Sequence, residues 1–177
     1  DEHGGNSRFA GGVMRFAYSG VEDLRRVTDI SDEEAANSDF GTNTREDFLD
    51  VIHRLTSYRT DPDLSEFLVN SSLDTMAWLR SKGARFILNH GRQSGMVNGK
   101  RVYFGNMPIE VNGGGAGLVQ YLDMAAKKAG IELYYDTRAT ALIYDGERVS
   151  GVRAKHKGKV AEFRAKSVVL ACGGFEA

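Results

Sequence analysis

The hydrophobic positions change period along this chain, and the changes divide it. Residues 1–20 carry a short apolar stretch, Phe9 to Tyr18, inside glycine and serine, and predict a loop leading into a short helix. Ser31 with Glu34 three residues on is a capping-box pattern and predicts a helix over Ser31–Ala36. Thr44 caps a clearer one: acids fill its first turn, and Phe48, Val51, Ile52 and Leu55 recur at helical spacing. Pro62 interrupts the pattern. A longer helix is predicted from Asp63 to about Lys82, with Leu64, Phe67, Leu68, Ser71, Met76 and Leu79 on one face and Gly83 as C-cap. Beyond it, 85–88 reads as a short strand. Residues 89–112 are irregular, with strand signals at 102–104 and 108–111. A glycine loop at Gly113 feeds a helix from about Ala116 to Ala129 with an apolar stripe of Leu118, Tyr121, Leu122 and Ala125.

From there the period is two. Strands are predicted at 132–135, 139–144, 149–155, 160–164 and 168–171. Asp145-Gly146 predicts a two-residue type I′ hairpin, and 156–159 a second turn. The run Val168-Val169-Leu170-Ala171 is apolar at every position, the pattern of a strand buried on both faces, as in a parallel sheet.

Composition narrows the class. The 177 residues are 41% hydrophobic and 27% charged, which suits one globular domain and argues against disorder. A net charge of -1 gives no field to draw in nucleic acid or anionic lipid. No apolar run reaches the roughly 20 residues that span a bilayer. No signal peptide is visible, and a single cysteine, Cys172, suits a reducing compartment; the expectation is cytoplasmic. Glycine occurs 21 times and proline twice, and the glycines cluster at 4–5, 11–12, 113–117 and 173–174. Clustered glycine marks places where backbone turns sharply or passes close to something.

Each cluster admits a ligand or a plainer reading. Gly173-Gly174 sits at the carboxyl end of the predicted buried strand, where open α/β sheets bind ligands; it would serve equally as a tight turn. Gly4-Gly5-Asn6-Ser7 with Gly11-Gly12 can present a row of backbone N–H groups as a nest for phosphate or a ring edge, or be a mobile glycine-rich terminus. It is not a hydrolase elbow, because Arg8 and Phe9 follow Ser7. The loop 112–117 tempts toward a dinucleotide fingerprint, with Asp136 lying 21 residues after Gly115. Gln120 stands where the third glycine belongs, so packing or loop closure is the better reading. His3, His53, His90 and His156 lack metal-ligand spacing. Arg80, Arg85, Arg92 and Arg101 have the chemistry to bind carboxylates, and most such arginines are solvated surface. No acid pair has a spacing that points to acid–base work.

Three segments together resemble the FAD-dependent fumarate reductase/succinate dehydrogenase flavoproteins. Gly4-Gly5-Asn6-Ser7 with Gly11-Gly12 is similar to that family's flavin loop. Gly113 to Leu118 is similar to its glycine-rich helix entry, and Gly151-Val152 followed by Val168 to Phe175 to its "G-V … V-V-L-A-T-G-G-F". Within the family, Gly4 to Tyr18 is most similar to tricarballylate dehydrogenases.

The resemblance implies an α/β fold: a partial FAD-binding, glutathione-reductase-like Rossmann domain over 1–177. It would comprise the flavin loop 4–12, a helical region 31–83, and a helix, strand and small antiparallel meander over 113–177. Gly5, Asn6 and Ser7 would contact the FAD pyrophosphate and the flavin side. Gly11 and Gly12 would let backbone pass the isoalloxazine edge, Ala139 would offer backbone to the adenine, and Ala171, Cys172, Gly173 and Gly174 would close over the nucleotide half. Asn6 stands where members with covalent flavin carry histidine, implying non-covalent FAD. Cys172 replaces a more usual threonine, leaving only a backbone contact there.

The implied reaction moves a hydride between a di- or tricarboxylate and flavin N5, with tricarballylate to cis-aconitate first. Fumarate reduction, aspartate oxidation and ketosteroid dehydrogenation are the alternatives. The family's first βαβ unit is expected before Asp1, and its substrate cap, with the catalytic groups, after Ala177. The isolated chain is therefore expected to be an inactive internal piece that carries no catalytic residue. The reading from a different class is a non-catalytic nucleotide-binding or interaction module.

Overall fold

The computed structural model describes residues 3–173. Gly174, and Phe175 with it, lie outside the described residues. The chain divides into two compact units, residues 4–131 and residues 132–177 joined by the first three.

In the larger unit a 3-10 helix, Gly5–Phe9, is followed by extended chain. Two isolated bridges hold that chain: Val13 against Glu110, and Tyr18 against Asn43. The apolar stretch Phe9 to Tyr18 is thus a bridged extended segment, and the short helix comes after it: α1, Val21–Arg25. The next two helices carry the local signals that predicted them. In α2, Asp32–Ala36, Ser31 Oγ accepts from Glu34 N while the Glu34 carboxylate receives Ser31 N. In α3, Arg45–Leu55, Thr44 and Asp47 make the same reciprocal pair. Each box satisfies two helix-end donors that would otherwise lack partners.

The long helix α4, Pro62–Ser81, begins one residue before Asp63. Asp61 is its N-cap, accepting from Leu64 N, and Pro62 occupies the first helical position, where its missing N–H costs nothing. Lys82 caps its far end and Gly83 follows in the left-handed region. The buried face is Ser65, Val69 and Met76. Leu64, Phe67 and Leu68, expected inside, are exposed. In α3 only Phe48 of the predicted stripe is buried.

Three short pairings follow. Strand β1, Ser38–Asp39, runs parallel to β4, Lys100–Tyr103, which pairs antiparallel with β3, Ser94–Val97. Strand β2, Phe86–Leu88, pairs antiparallel with β5, Ile109–Val111. Helix α5, Gly114–Lys128, starts inside the glycine loop, two residues before Ala116. The core of this unit joins Phe16, Tyr18, Leu24, Val27 and Phe40 to Phe86, Leu88, Ile109 and Val111, with Leu118 and Tyr121 packed against it.

The smaller unit is an antiparallel meander of β6, Thr137–Tyr144, β7, Val149–His156, and β8, Lys159–Arg164. Its two turns exchange the expected roles. Tyr144 pairs with Val149, so four residues, 145–148, make the first turn. The Asp145 carboxylate accepts from the N–H groups of Glu147 and Arg148, and those bonds hold its pKa below the ordinary aspartate value. An aspartate free to bond its own turn replaces the two-residue hairpin. The type I′ geometry occurs at Lys157-Gly158, where both residues have positive φ.

Two predicted strands are not formed. Residues 132–135 and 168–171 are irregular. Val169 is 86% and Leu170 68% exposed. A strand needs a neighbour to take its N–H and C=O groups, and among the described residues neither segment has one. Among the described residues no helix is long and apolar enough to cross a membrane.

Candidate functional site

The two glycine-rich segments of the larger unit, over a hundred positions apart, are each other's packing partners. Gly115 N–H, in the first turn of α5, donates to Ala10 O at 2.9 Å. A Cβ on Gly115 would overlap Ser7 O and lie 2.8 Å from Ala10 O and 2.9 Å from Ala10 N. Gly12, at φ +86°, leaves no room either: its Cβ would stand 2.6 Å from Gly114 Cα. Gly117 would drive a Cβ into Asn112 O. These are backbone-on-backbone contacts that only glycine permits. Gly12 O also accepts from Val111 N at 2.9 Å, which stitches the loop to β5. A first-turn donor of α5 is therefore spent on closing the loop, and the 113–117 glycines serve packing.

That closure leaves one face of the loop open. Gly5, Asn6, Ser7 and Gly11 are exposed, whereas Gly12 is buried. Gly5 sits at φ +46° with nothing within 4 Å of where a side chain would begin. Among the described residues no hydrogen bond ties the Asn6 or Ser7 side chain, and both residues are exposed. Exposed small residues, unengaged polar groups and a braced backbone fit a phosphate-bearing cofactor.

Arg92 reaches the same loop from the turn between β2 and β3. Its Nη1 donates to Gly11 O at 3.4 Å, and it lies 2.6 Å from where a Gly11 Cβ would be. The other arginines with carboxylate-binding chemistry sit differently. Arg80 is tied to Asp29 and to Arg25 O, and Arg101 donates to Ser94 Oγ. Arg85 lines a separate cavity with Arg80, Thr28 and Asn112.

Asn43 was missed by sequence reasoning because nothing local marks it. It is fully buried, Nδ2 donates to Phe16 O at 2.7 Å, and its backbone exchanges both bonds with Tyr18. It clamps the segment that leaves the glycine loop. Tyr18 adds to the clamp by donating its hydroxyl to Phe40 O at 2.7 Å, and burial raises its pKa above the ordinary tyrosine value. A cavity of about 460 Å³ between Tyr18, Asp23, Asn43 and Leu73 has no glycine-loop residue in its wall. The loop, with its unengaged donors, carries the stronger chemical case.

The remaining expected positions belong to the other unit. Ala139 is on β6, paired with Ala154 on β7 and exposed. Ala171, Cys172 and Gly173 are exposed in irregular chain, and the Cys172 thiol is free.

The chain is 28% identical over 177 residues to a fumarate reductase (cytochrome) of Shewanella frigidimarina, a match covering 97% of this chain and 27% of that protein. It is 30% identical over 120 residues to an NADH:fumarate oxidoreductase of Klebsiella pneumoniae, covering 67% of this chain and 12% of the relative. Among solved structures, the open conformation of a flavocytochrome c3 fumarate reductase superposes with a TM-score of 0.64 at 25% identity, over 96% of this chain and 27% of that one. This chain thus spans about a quarter of the fumarate reductases it matches. All of residues 1–177 match the FAD binding domain family, and the mixed helix-and-strand fold agrees with it. The chain belongs to the FAD binding domain family, whose cofactor is FAD.

Proposed function

We propose that this chain builds part of the flavin cradle of an FAD-dependent oxidoreductase acting on a di- or tricarboxylate, with tricarballylate the first substrate to test. The observation that carries the reading is the pair of interlocked glycine segments. Gly12, Gly114 and Gly115 press backbone against backbone, and so hold Gly5, Asn6, Ser7 and Gly11 as an open, rigid surface.

In this reading Asn6 and Ser7 hydrogen-bond the FAD pyrophosphate, and Gly5 lets the cofactor come close to the main chain. Gly11 runs beside the isoalloxazine edge, and Gly12, expected at the same edge, is buried behind it against Gly114 and β5 and serves to hold Gly11 in place. Ala139 and the Ala171 to Gly174 segment serve the nucleotide half, which treats residues 1–177 as part of one FAD-binding domain; the family match over the whole length supports this. Asn6 stands at about the place where members with covalent flavin carry histidine, which supports FAD held non-covalently. When bound, FAD supplies hydride acceptance or donation. The single cysteine suits a cytoplasmic setting.

Fumarate reduction is the second reading, favoured by the names of two relatives. One experiment separates them. The flavoprotein that carries this chain is loaded with FAD and mixed without oxygen with tricarballylate. Separately, its reduced form is mixed with fumarate. Bleaching of the flavin band by tricarballylate, with cis-aconitate formed, is the expected result. Reoxidation by fumarate with no response to tricarballylate would favour the second reading, and failure to retain FAD would defeat both.

A further inference from the structure

We infer that Arg92 is a specificity-determining residue that binds a carboxylate of the substrate over Gly11, an inference that rests on the flavoprotein reading above.

Its backbone is held in place from both sides. Asn89 N donates to Pro108 O at 2.8 Å, and Phe104 N donates to Gln93 O at 2.7 Å, so the stems of the 89–93 turn are fixed and Arg92 lies between them. Its side chain folds back onto the glycine loop, where the absent Cβ of Gly11 makes the space that Nη1 borders. A merely solvated arginine would extend into water. This one lies on a main-chain carbonyl in the loop proposed to pass the reactive edge of the flavin.

Its charge is uncompensated. A guanidinium carries five N–H donors, and Arg92 makes one hydrogen bond, to a neutral carbonyl. Among the described residues no carboxylate pairs with it. By contrast Arg25, Arg26, Arg80, Arg153 and Arg164 each sit against an aspartate or glutamate. A planar, exposed, unpaired fork beside a flavin edge is half of a bidentate carboxylate contact. Gly11 then has two uses: it lets main chain approach the flavin, and it leaves room for the guanidinium.

The test uses the FAD-loaded flavoprotein and malonate, a dicarboxylate with no C–C bond to oxidise or reduce in this way, titrated against the flavin absorption band. Arg92→Met is expected to raise the malonate dissociation constant roughly 10- to 100-fold, the loss of one charge-assisted contact, while FAD content stays at the wild-type level. Arg92→Lys should recover part of the affinity, and in turnover the KM for the carboxylate substrate should rise more than kcat falls. Unchanged malonate affinity in an Arg92→Met protein that holds FAD overturns the inference and leaves the flavoprotein reading standing. Loss of FAD in Arg92→Met makes the residue a prop for the glycine loop and also overturns it. A wild-type protein that holds no FAD overturns both.

Discussion

Gly115→Ala is expected to strip flavin from the protein and to destabilise it. The added methyl has nowhere to go, because Ser7 O, Ala10 O and Ala10 N all lie inside the 3.0 Å that real Cβ atoms respect. All three are backbone atoms, so no side chain can swing aside. Either α5 withdraws from the loop, breaking the Gly115 N–H to Ala10 O bond, or the loop buckles. Overpacking of this kind costs about 3 kcal/mol at the upper end of its usual range. The damage falls on the residues that present Asn6 and Ser7, so flavin retention should fail before the fold does. The ratio of flavin absorbance to protein after desalting reads the first effect, and urea unfolding the second. Gly91→Ala is the matched control, since no atom lies within 4 Å of its Cβ position and its φ is not positive. Wild-type flavin content in Gly115→Ala would mean that the loop and helix do not need this contact to hold the cofactor.

Phe16→Ala should produce the largest loss of stability. Phe16 is 1% exposed, packs its ring 5.6 Å from that of Tyr18, and lies in the core with Leu24, Ile109 and Val111. Its carbonyl also accepts a hydrogen bond from the Asn43 amide nitrogen at 2.7 Å. Truncation removes the ring and leaves a cavity beside a fully buried asparagine, a change worth about 3–5 kcal/mol. For a chain of this length that is roughly 10 °C in melting temperature. Phe9→Ala, seven positions earlier in the same apolar stretch but 85% exposed, should be close to neutral. Thermal unfolding of the two variants side by side checks both; equal losses would contradict a buried Phe16 and an exposed Phe9.

Those two phenylalanines also mark what the sequence could and could not reveal. Signals confined to a few residues were legible: the Ser31/Glu34 box and the Thr44 cap formed as expected, because their partners are in the same turn, and Asp47, expected only as a first-turn acid, completes a second box. Signals that depend on a distant partner were not. The stretch Phe9 to Tyr18 looks uniformly apolar, and only its bridges to Glu110 and Asn43 decide that Phe16 goes in and Phe9 out. In α4 the stripe through Leu64, Phe67 and Leu68 has helical spacing, yet the core lies on the side of Val69 and Met76. Val168 to Ala171 has a buried strand's composition, but composition names a preference to be covered and supplies no neighbour.

The same division runs through the candidate site. Both glycine segments were visible as glycine, and the resemblance drew attention to Asn6 and Ser7. That the segments lock onto each other is a tertiary fact that no spacing records. Arg92 was one of four arginines with the same chemistry, and only its reach to Gly11 sets it apart. Asp145-Gly146 joins its two strands as expected but through a four-residue turn, for a local reason that was open to reading: an aspartate at the head of a turn competes for the N–H groups ahead of it.

The most direct test of the account is a crystal structure of the FAD-loaded protein that carries this chain. It should show the pyrophosphate hydrogen-bonded to Asn6 and Ser7, the isoalloxazine edge in van der Waals contact with Gly11, and Gly115 still pressed against Ser7. FAD bound with none of residues 5–12 in contact would contradict the account.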